Sequence, residues 1–339
     1  MGNNLTLQNI QSLRWLAAAL VFMQHSIFFA GQTTGDSMMS FRGYNFGGIG
    51  VYVFFIISGF VIAMQTEKKP LQFLLHRAFR IYPAYFSAVA LSFVILYLFS
   101  TQTPSLNTDS LSMLLIPTGT LNSSFQIPYW TLIYEIFFYS LILLLMVILK
   151  GRQSLIDGSI LIWLAVVIFT TQMGLKLDIH APSLKDIIFS PMNIYFMCGY
   201  FLSRVLLSND NKIAFSGLLI IAASGSFFLS VRYQATVCAL GVCAIVFFAK
   251  SKPFKKAINK LGDYSYGIYL IHLPMIYCIF LAMRGAGANF SISLSMMVLI
   301  ALPISIGFGK LEHMIYNLKI RPALNSFIAD NKFNAIKSG

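Results

Sequence analysis

The sequence predicts an all-α fold, that of a polytopic integral membrane protein with about ten transmembrane helices and both termini in the cytoplasm. Of the 339 residues, 57% are hydrophobic and only 10% are charged, whereas an ordinary soluble domain carries about 25% charged residues. Apolar runs recur along the whole chain, and about 20 such residues in a helix cross a bilayer core about 30 Å thick. Lys and Arg residues are concentrated in alternate loops. These observations exclude a water-soluble globule.

The membrane spans are predicted from hydropathy. A run such as 141–149 (LILLLMVIL) is continuously apolar, which indicates helices because the strands of a membrane barrel alternate apolar and polar residues. The predicted spans cover residues 13–30, 46–64, 82–99, 127–149, 159–175, 187–203, 213–230, 234–249, 264–283 and 292–311.

The orientation is predicted from the basic residues, which number 24 against 11 acidic residues. Every second loop and the tail from Lys310 together hold most of the Lys and Arg residues, and by the positive-inside rule these segments are cytoplasmic. The basic excess is therefore a topology signal, and no nucleic-acid partner is expected. We predict a single domain over residues 1–339, with spans over 13–311 and a cytoplasmic tail over 312–339.

Arg14 and His25 are polar residues inside the first predicted span, where such residues are costly and usually face a partner or a cavity. His25 follows Arg14 by eleven positions, which is about three full turns of a helix and about 16 Å along its axis. The two side chains are thus predicted to share one face, with Arg14 at the cytoplasmic end and His25 towards the outer leaflet.

Glu135 is the one acidic residue in the long apolar run of the fourth span. Counting along the helices places both Glu135 and His25 about 12 Å below the outer surface. A carboxylate beside an imidazole fixes its tautomer and raises its basicity, as a general base requires. The sequence therefore suggests that Glu135 orients His25, although a structural ion pair is an equally good explanation of this residue.

Arg77 and Arg80 stand three residues apart at the cytoplasmic start of the third span. On a helix they share a face, and two guanidinium groups side by side suit phosphate recognition because each presents a planar fork of donors. The topology rule by itself also places arginines at this rim. Possible supporting residues are Tyr82, Trp130, Tyr269 and His272.

Several segments carry a resemblance to a known family. The opening IQSLRWLAAALVFMQH resembles that of the membrane-bound acyltransferase family 3, with Arg14 and His25 in its arginine, ten residues, histidine signature. The chain is also similar to that family at VFFIISGFVI, HRAFRIYPAY, YWTLIYEIFFY and DYSYGIYLIHLP, in family order over nearly the whole length. The opening is most similar to the exopolysaccharide and O-antigen O-acetyltransferase branch.

The resemblance implies an O-acyltransferase of the bacterial cytoplasmic (inner) membrane. Its expected donor is acetyl-CoA, its expected acceptor is a carbohydrate or glycolipid hydroxyl of an envelope or exported polysaccharide, and no metal is expected. Arg14, Arg77 and Arg80 are then expected to bind acyl-CoA, while His25 and Glu135 are expected to be catalytic. Membrane lipid is a further partner.

Other functions remain open at this point. A transporter or flippase for a lipid-linked sugar or an anion is compatible with ten spans, and a non-catalytic scaffold is a third possibility. Within the enzyme hypothesis, the sequence leaves open acetyl against succinyl or longer groups, direct transfer against an acyl-enzyme, and the oligomeric state.

Overall fold

The computed structural model describes residues 8–35, 45–99, 110–120, 128–207, 211–251 and 256–337. Within these ranges the regular elements are helices, and the one bridge between extended residues joins Thr118 to Ser183. The all-α class predicted from the sequence is therefore confirmed. The side of the membrane on which each terminus lies stays a prediction.

The helices follow one another along the chain with short connections. They are α1 (Gln8–Thr33), α2 (Phe46–Ala63), α3 (Pro70–Phe99), α4 (Ser110–Met113), α5 (Trp130–Ile148), α6 (Gln153–Gln172), α7 (Leu184–Phe189), α8 (Met192–Leu207), α9 (Lys212–Phe227), α10 (Leu229–Lys250), α11 (Lys256–Asp263), α12 (Ser265–Gly285), α13 (Phe290–Met296), α14 (Leu302–Ile315) and α15 (Arg321–Lys337). Two π-helical segments, Met297–Ala301 and Tyr316–Ile320, join the last three helices.

Each predicted span corresponds to an apolar helix or to the joined helices α13 and α14. In the part of the chain that the structure describes, 8 helical segments are long and apolar enough to cross a membrane. The helices α8 and α9 are apolar but shorter, so the exact number of spans stays a prediction. Residue 127, the predicted start of the fourth span, lies outside the described residues.

Two helices extend beyond their predicted spans. The third begins at Pro70 rather than at residue 82, because Pro is favoured in a first helical turn and the basic residues that follow lower hydropathy without breaking a helix. The last continues past residue 311 through α15 to Lys337. Its two π-helical segments are of a kind often found at functional sites.

The helices α2 and α8 pack backbone against backbone through one glycine on each. Gly59 lies against the carbonyl oxygen of Phe196, and Gly199 lies against that of Ile56. Small residues allow such close approach between membrane helices, where dispersion contacts replace the hydrophobic driving force. This contact holds α2 in place, and α2 forms one wall of the site described below.

A buried carboxylate joins three helices away from that site. Asp157 on α6 accepts hydrogen bonds from Gln153 at 2.9 Å, Tyr200 at 2.7 Å and Asn211 at 2.8 Å. The guanidinium of Arg204 approaches it at 3.4 Å. A carboxylate that is 1% exposed is stable only when it is paired and hydrogen-bonded in this way, and the network links α6 to α8 and to the start of α9.

The neighbours of α1 and α5 determine how the polar residues meet. The main packing partners of α1 are α2, α10, α11, α12 and α13, whereas α5 packs mainly against α2, α3 and α6. The helix α2 therefore stands between α1 and α5. Polar residues of α1 and α5 face a common space only where α2 leaves a gap.

Candidate active site

A cavity of about 850 Å³ opens between α1, α2, α3, α5 and α12. Much of its wall is apolar, and the polar side chains that line it are Arg14, Ser58, Arg77, Arg80, Thr131, Glu135, Tyr139, Tyr266 and Tyr269. The structure thus brings the three predicted binding arginines and Glu135 to one cavity.

Two of the arginines keep donors available to a ligand. Arg77 lies over the ring of Tyr139, with 5.1 Å from its guanidinium carbon to the ring centre. Its Nε is buried and has no hydrogen-bond partner among the described residues. Among the described residues, Arg14 donates one long hydrogen bond, of 3.5 Å, to Gln11. Because an unpaired donor is costly when buried, Arg77 is suited to an anionic oxygen that enters the cavity.

Arg80, in contrast, is already paired. It forms an ion pair with Glu312 of α14, and its guanidinium carbon lies 5.2 Å from the ring centre of Tyr266 and 4.8 Å from that of Tyr316. Planar guanidinium groups stack favourably on aromatic faces. Arg80 therefore ties α3 to the last helices as well as lining the cavity, so its role differs from that of Arg77.

Positive charge exceeds negative charge around this end of the cavity. Lys68, in the connection between α2 and α3, has a pKa lowered by partial burial and by the neighbouring positive charges of Arg77 and Arg321. Burial is the larger cause of this shift, and the like charges of Arg77 and Arg321 add to it because they disfavour the protonated amine. Neighbouring positive charges of this kind attract anions.

Glu135 faces the cavity but does not bond to His25. Its carboxylate accepts hydrogen bonds from Ser58 at 3.2 Å and from Tyr139, and Arg14 lies within electrostatic reach. The expectation that Glu135 orients His25 is therefore wrong. Counting residues along each helix matched their depths, but it carried no information about α2, which lies between α1 and α5.

The partner of His25 is His272 of α12. Nδ1 of His25 lies 3.0 Å from Nε2 of His272, and the ring centres are 5.1 Å apart. His272 is 1% exposed, whereas His25 is only partly buried. The ring centre of Tyr269, whose side chain lines the cavity, is 5.6 Å from that of His272. Tyr269 thus connects the cavity lining to the histidine pair, although neither histidine lines the cavity itself.

A proline shapes α12 at this level. Pro274 has no N–H group, so it leaves the carbonyl oxygen of Leu270 without its helical donor. The hydroxyl of Tyr129 donates to that oxygen at 3.0 Å. The hydroxyl of Tyr269 in turn donates to the carbonyl oxygen of Pro128 at 2.7 Å. These bonds join α12 to the start of α5 and hold the part of α12 around Pro274 in position.

Three of the predicted supporting residues lie outside the cavity lining. Tyr82 donates to the carbonyl oxygen of Leu114 at 3.0 Å, because two residues beyond Arg80 amount to about 200° of helix and so to the opposite face. Trp130 packs edge-on against Tyr134 and His180. Tyr269 lines the cavity, whereas His272 lies behind it, with 5.6 Å between the two ring centres.

Sequence reasoning missed five residues of this region, of which Thr131 is one. Tyr139 follows Glu135 by four residues and Tyr266 precedes Tyr269 by three, so helix periodicity indicates both. Ser58 is the hydroxyl residue within the apolar run 53–62, a visible but weak signal. Glu312 lies just beyond the last predicted span, and only the tertiary structure places it against Arg80.

Comparison with known proteins agrees with the resemblance noted in the sequence. The chain is 33% identical over 148 residues to the protein named acyltransferase MdmB of Streptomyces mycarofaciens, an alignment that covers 39% of this chain and 37% of that relative. The chain thus spans less than half of that relative's length. No solved structure matches the chain. The family profile described as an acyltransferase domain (Acyl_transf_3) matches residues 7–309, and the chain therefore belongs to the acyltransferase 3 family.

Proposed function

We propose that this protein transfers an acyl group from a cytoplasmic acyl-CoA, with acetyl-CoA as the expected donor, to a hydroxyl group of an envelope or exported polysaccharide or glycolipid. The observation that carries the proposal is a cavity lined both by Arg77, whose Nε has no partner among the described residues, and by Tyr269, whose ring centre lies 5.6 Å from that of His272, the partner of His25. A donor that combines phosphates with a long arm and a reactive thioester fits that arrangement.

The arginines account for donor binding. Arg14 and Arg77 offer guanidinium donors to phosphate oxygens, and Arg80 adds positive charge while it remains paired with Glu312. Arg14 and His25 lie about 16 Å apart along α1. A pantetheine arm that extends outward along α1 brings the thioester from the basic end of the cavity towards His25.

His25 accounts for the chemistry in this scheme. Its imidazole removes the proton from the acceptor hydroxyl while that oxygen attacks the thioester carbonyl carbon. The carbon–sulfur bond breaks, an oxygen ester forms, and the proton passes to the departing CoA thiolate. General base catalysis of this kind is worth about 10² to 10⁴ in rate. The paired histidines offer two sites for the proton during transfer.

The experiment uses purified protein in lipid vesicles. The donor is acetyl-CoA that carries a label in its acetyl group, and the acceptor is a glycolipid extract. The readouts are release of free CoA thiol and the added acetyl mass on the glycan. His25→Ala is expected to reduce thiol release by about 10²-fold or more, while His180→Ala, which replaces an exposed histidine outside the cavity, retains wild-type activity.

The same experiment separates the competing functions. A folded His25→Ala protein with wild-type thiol release would remove His25 from the mechanism. Movement of an unmodified lipid-linked sugar across the vesicle membrane without thiol release would instead support a transporter or flippase. A scaffold would show neither activity, and its properties would be insensitive to changes at His25 and Glu135.

A further inference from the structure

The histidine pair contains a chain of hydrogen bonds whose directions are determined by chemistry. His272 Nδ1 lies 2.6 Å from the main-chain carbonyl oxygen of Tyr269. A carbonyl oxygen accepts and never donates, so His272 Nδ1 carries the hydrogen. In a neutral imidazole the other nitrogen is then an acceptor. His272 Nε2 therefore presents a lone pair to His25.

The second step follows from the first. Because His272 Nε2 accepts, His25 Nδ1 at 3.0 Å must donate. A neutral His25 that is protonated on Nδ1 has its lone pair on Nε2. The main-chain oxygen of Val21, one turn earlier on α1, is a second acceptor for the His25 ring. A neutral imidazole has one N–H group, so both acceptors share Nδ1–H, and Nε2 is left for a substrate proton.

We propose that His272 is the positioning residue for His25: by accepting from Nδ1 it selects the tautomer in which Nε2 of His25 is the general base. The proposal rests on the proposed function, because a general base is useful only if an acceptor hydroxyl reaches it. It replaces Glu135, whose carboxylate bonds elsewhere, as the group that orients His25.

The surroundings of His272 hold it in this role. The side chain is 1% exposed, so the buried ring depends on its two hydrogen bonds for satisfaction of both nitrogens. Two hydrogen bonds hold this part of α12: Tyr129 donates to the main-chain oxygen of Leu270, and Tyr269 donates to that of Pro128, just before α5. The ring of Phe22 packs beside it, with 6.4 Å between ring centres.

The test compares variants that differ in one hydrogen-bond acceptor. His272→Leu removes the acceptor for His25 Nδ1, so the wrong tautomer and free rotation of the His25 ring become accessible. We expect kcat for thiol release to fall by about 10²-fold or more, as for other catalytic histidines left in the wrong tautomer. The KM for acetyl-CoA is expected to stay within about twofold, because the donor-binding arginines are untouched.

His272→Gln supplies the decisive comparison. Its side-chain carbonyl oxygen places an acceptor near the position of Nε2, so this variant is expected to retain at least about 10-fold more kcat than His272→Leu. Phe22→Leu is the matched control, because it loosens packing beside His272 without changing any donor or acceptor. That control is expected to keep kcat within about threefold of wild type.

The outcomes separate this proposal from the proposed function. Equal kcat in the Leu and Gln variants would overturn the positioning role, whether that shared value is low or close to wild type. If the His272→Leu protein does not fold, the test uses His272→Gln and Phe22→Leu. The positioning role would be overturned if His272→Gln had a kcat as low as that of His25→Ala while Phe22→Leu kept the wild-type kcat. Wild-type thiol release by His25→Ala would instead refute the proposed function itself.

Discussion

The contact between α2 and α8 allows a quantitative prediction for Gly59→Ala. A Cβ atom added at Gly59 would lie 1.9 Å from the carbonyl oxygen of Phe196 and 2.8 Å from its carbonyl carbon. Ordinary van der Waals contact begins near 3.4 Å, so the helices must separate by about 1.5 Å. Both opposing atoms belong to the backbone of α8, and no side-chain rotation relieves the clash.

The energetic consequence follows from the rigidity of that interface. Overpacking a well-packed interior typically costs about 1–3 kcal/mol. Because the added Cβ clashes with backbone atoms of α8, Gly59→Ala is expected to cost an amount at the upper end of that range. A loss of about 3 kcal/mol lowers the folded to unfolded ratio roughly 150-fold. Activity is expected to fall as well, since Ser58 lines the cavity and donates to Glu135.

The assay heats purified protein in a mild detergent and measures the fraction that remains monodisperse at each temperature. Gly158→Ala is the matched control, because Gly158 lies on helix α6 with no atom within 4 Å of an added Cβ. That change is expected to be neutral or to stabilise by about 0.5–1 kcal/mol through helix propensity. Equal midpoints for the Gly59→Ala and Gly158→Ala proteins would refute the close packing described here.

Three further predictions concern the charged groups. Arg77→Ala removes charge-assisted hydrogen bonds worth about 1.5–3 kcal/mol, so the KM for acetyl-CoA is expected to rise about 10- to 100-fold in the thiol-release assay. Arg80→Ala leaves Glu312 buried and unpaired, so the melting midpoint of the protein is expected to fall. Adding Glu312→Gln is expected to restore part of that midpoint. The absence of any restoration would argue against the ion pair. Asp157→Ala is expected to lower the unfolding free energy by about 3 kcal/mol, measured in the same melting assay, while exposed Ser154→Ala changes it by less than about 0.5 kcal/mol.

The sequence predicted most of the helices and several of the polar residues that line the cavity. Long apolar runs are a local property of the chain, so the spans could be recognised without knowing their neighbours. Arg14 and Glu135 stood out because charged residues at membrane depth are costly, and Arg77 and Arg80 stood out because two guanidinium groups share one helix face. The structure places all four at one cavity. The sequence erred where helix formation and hydropathy diverge, as in the basic first turns of α3.

The chain by itself determined the helical class, the residue types at membrane depth and their faces on each helix, since periodicity and burial cost act locally along a helix. Only the tertiary structure decided the partners: His272 rather than Glu135 for His25, and Glu312 for Arg80. Depth along a helix is one coordinate, whereas a hydrogen bond requires all three. The packing of α2 between α1 and α5 determined the other two coordinates of Glu135 relative to His25.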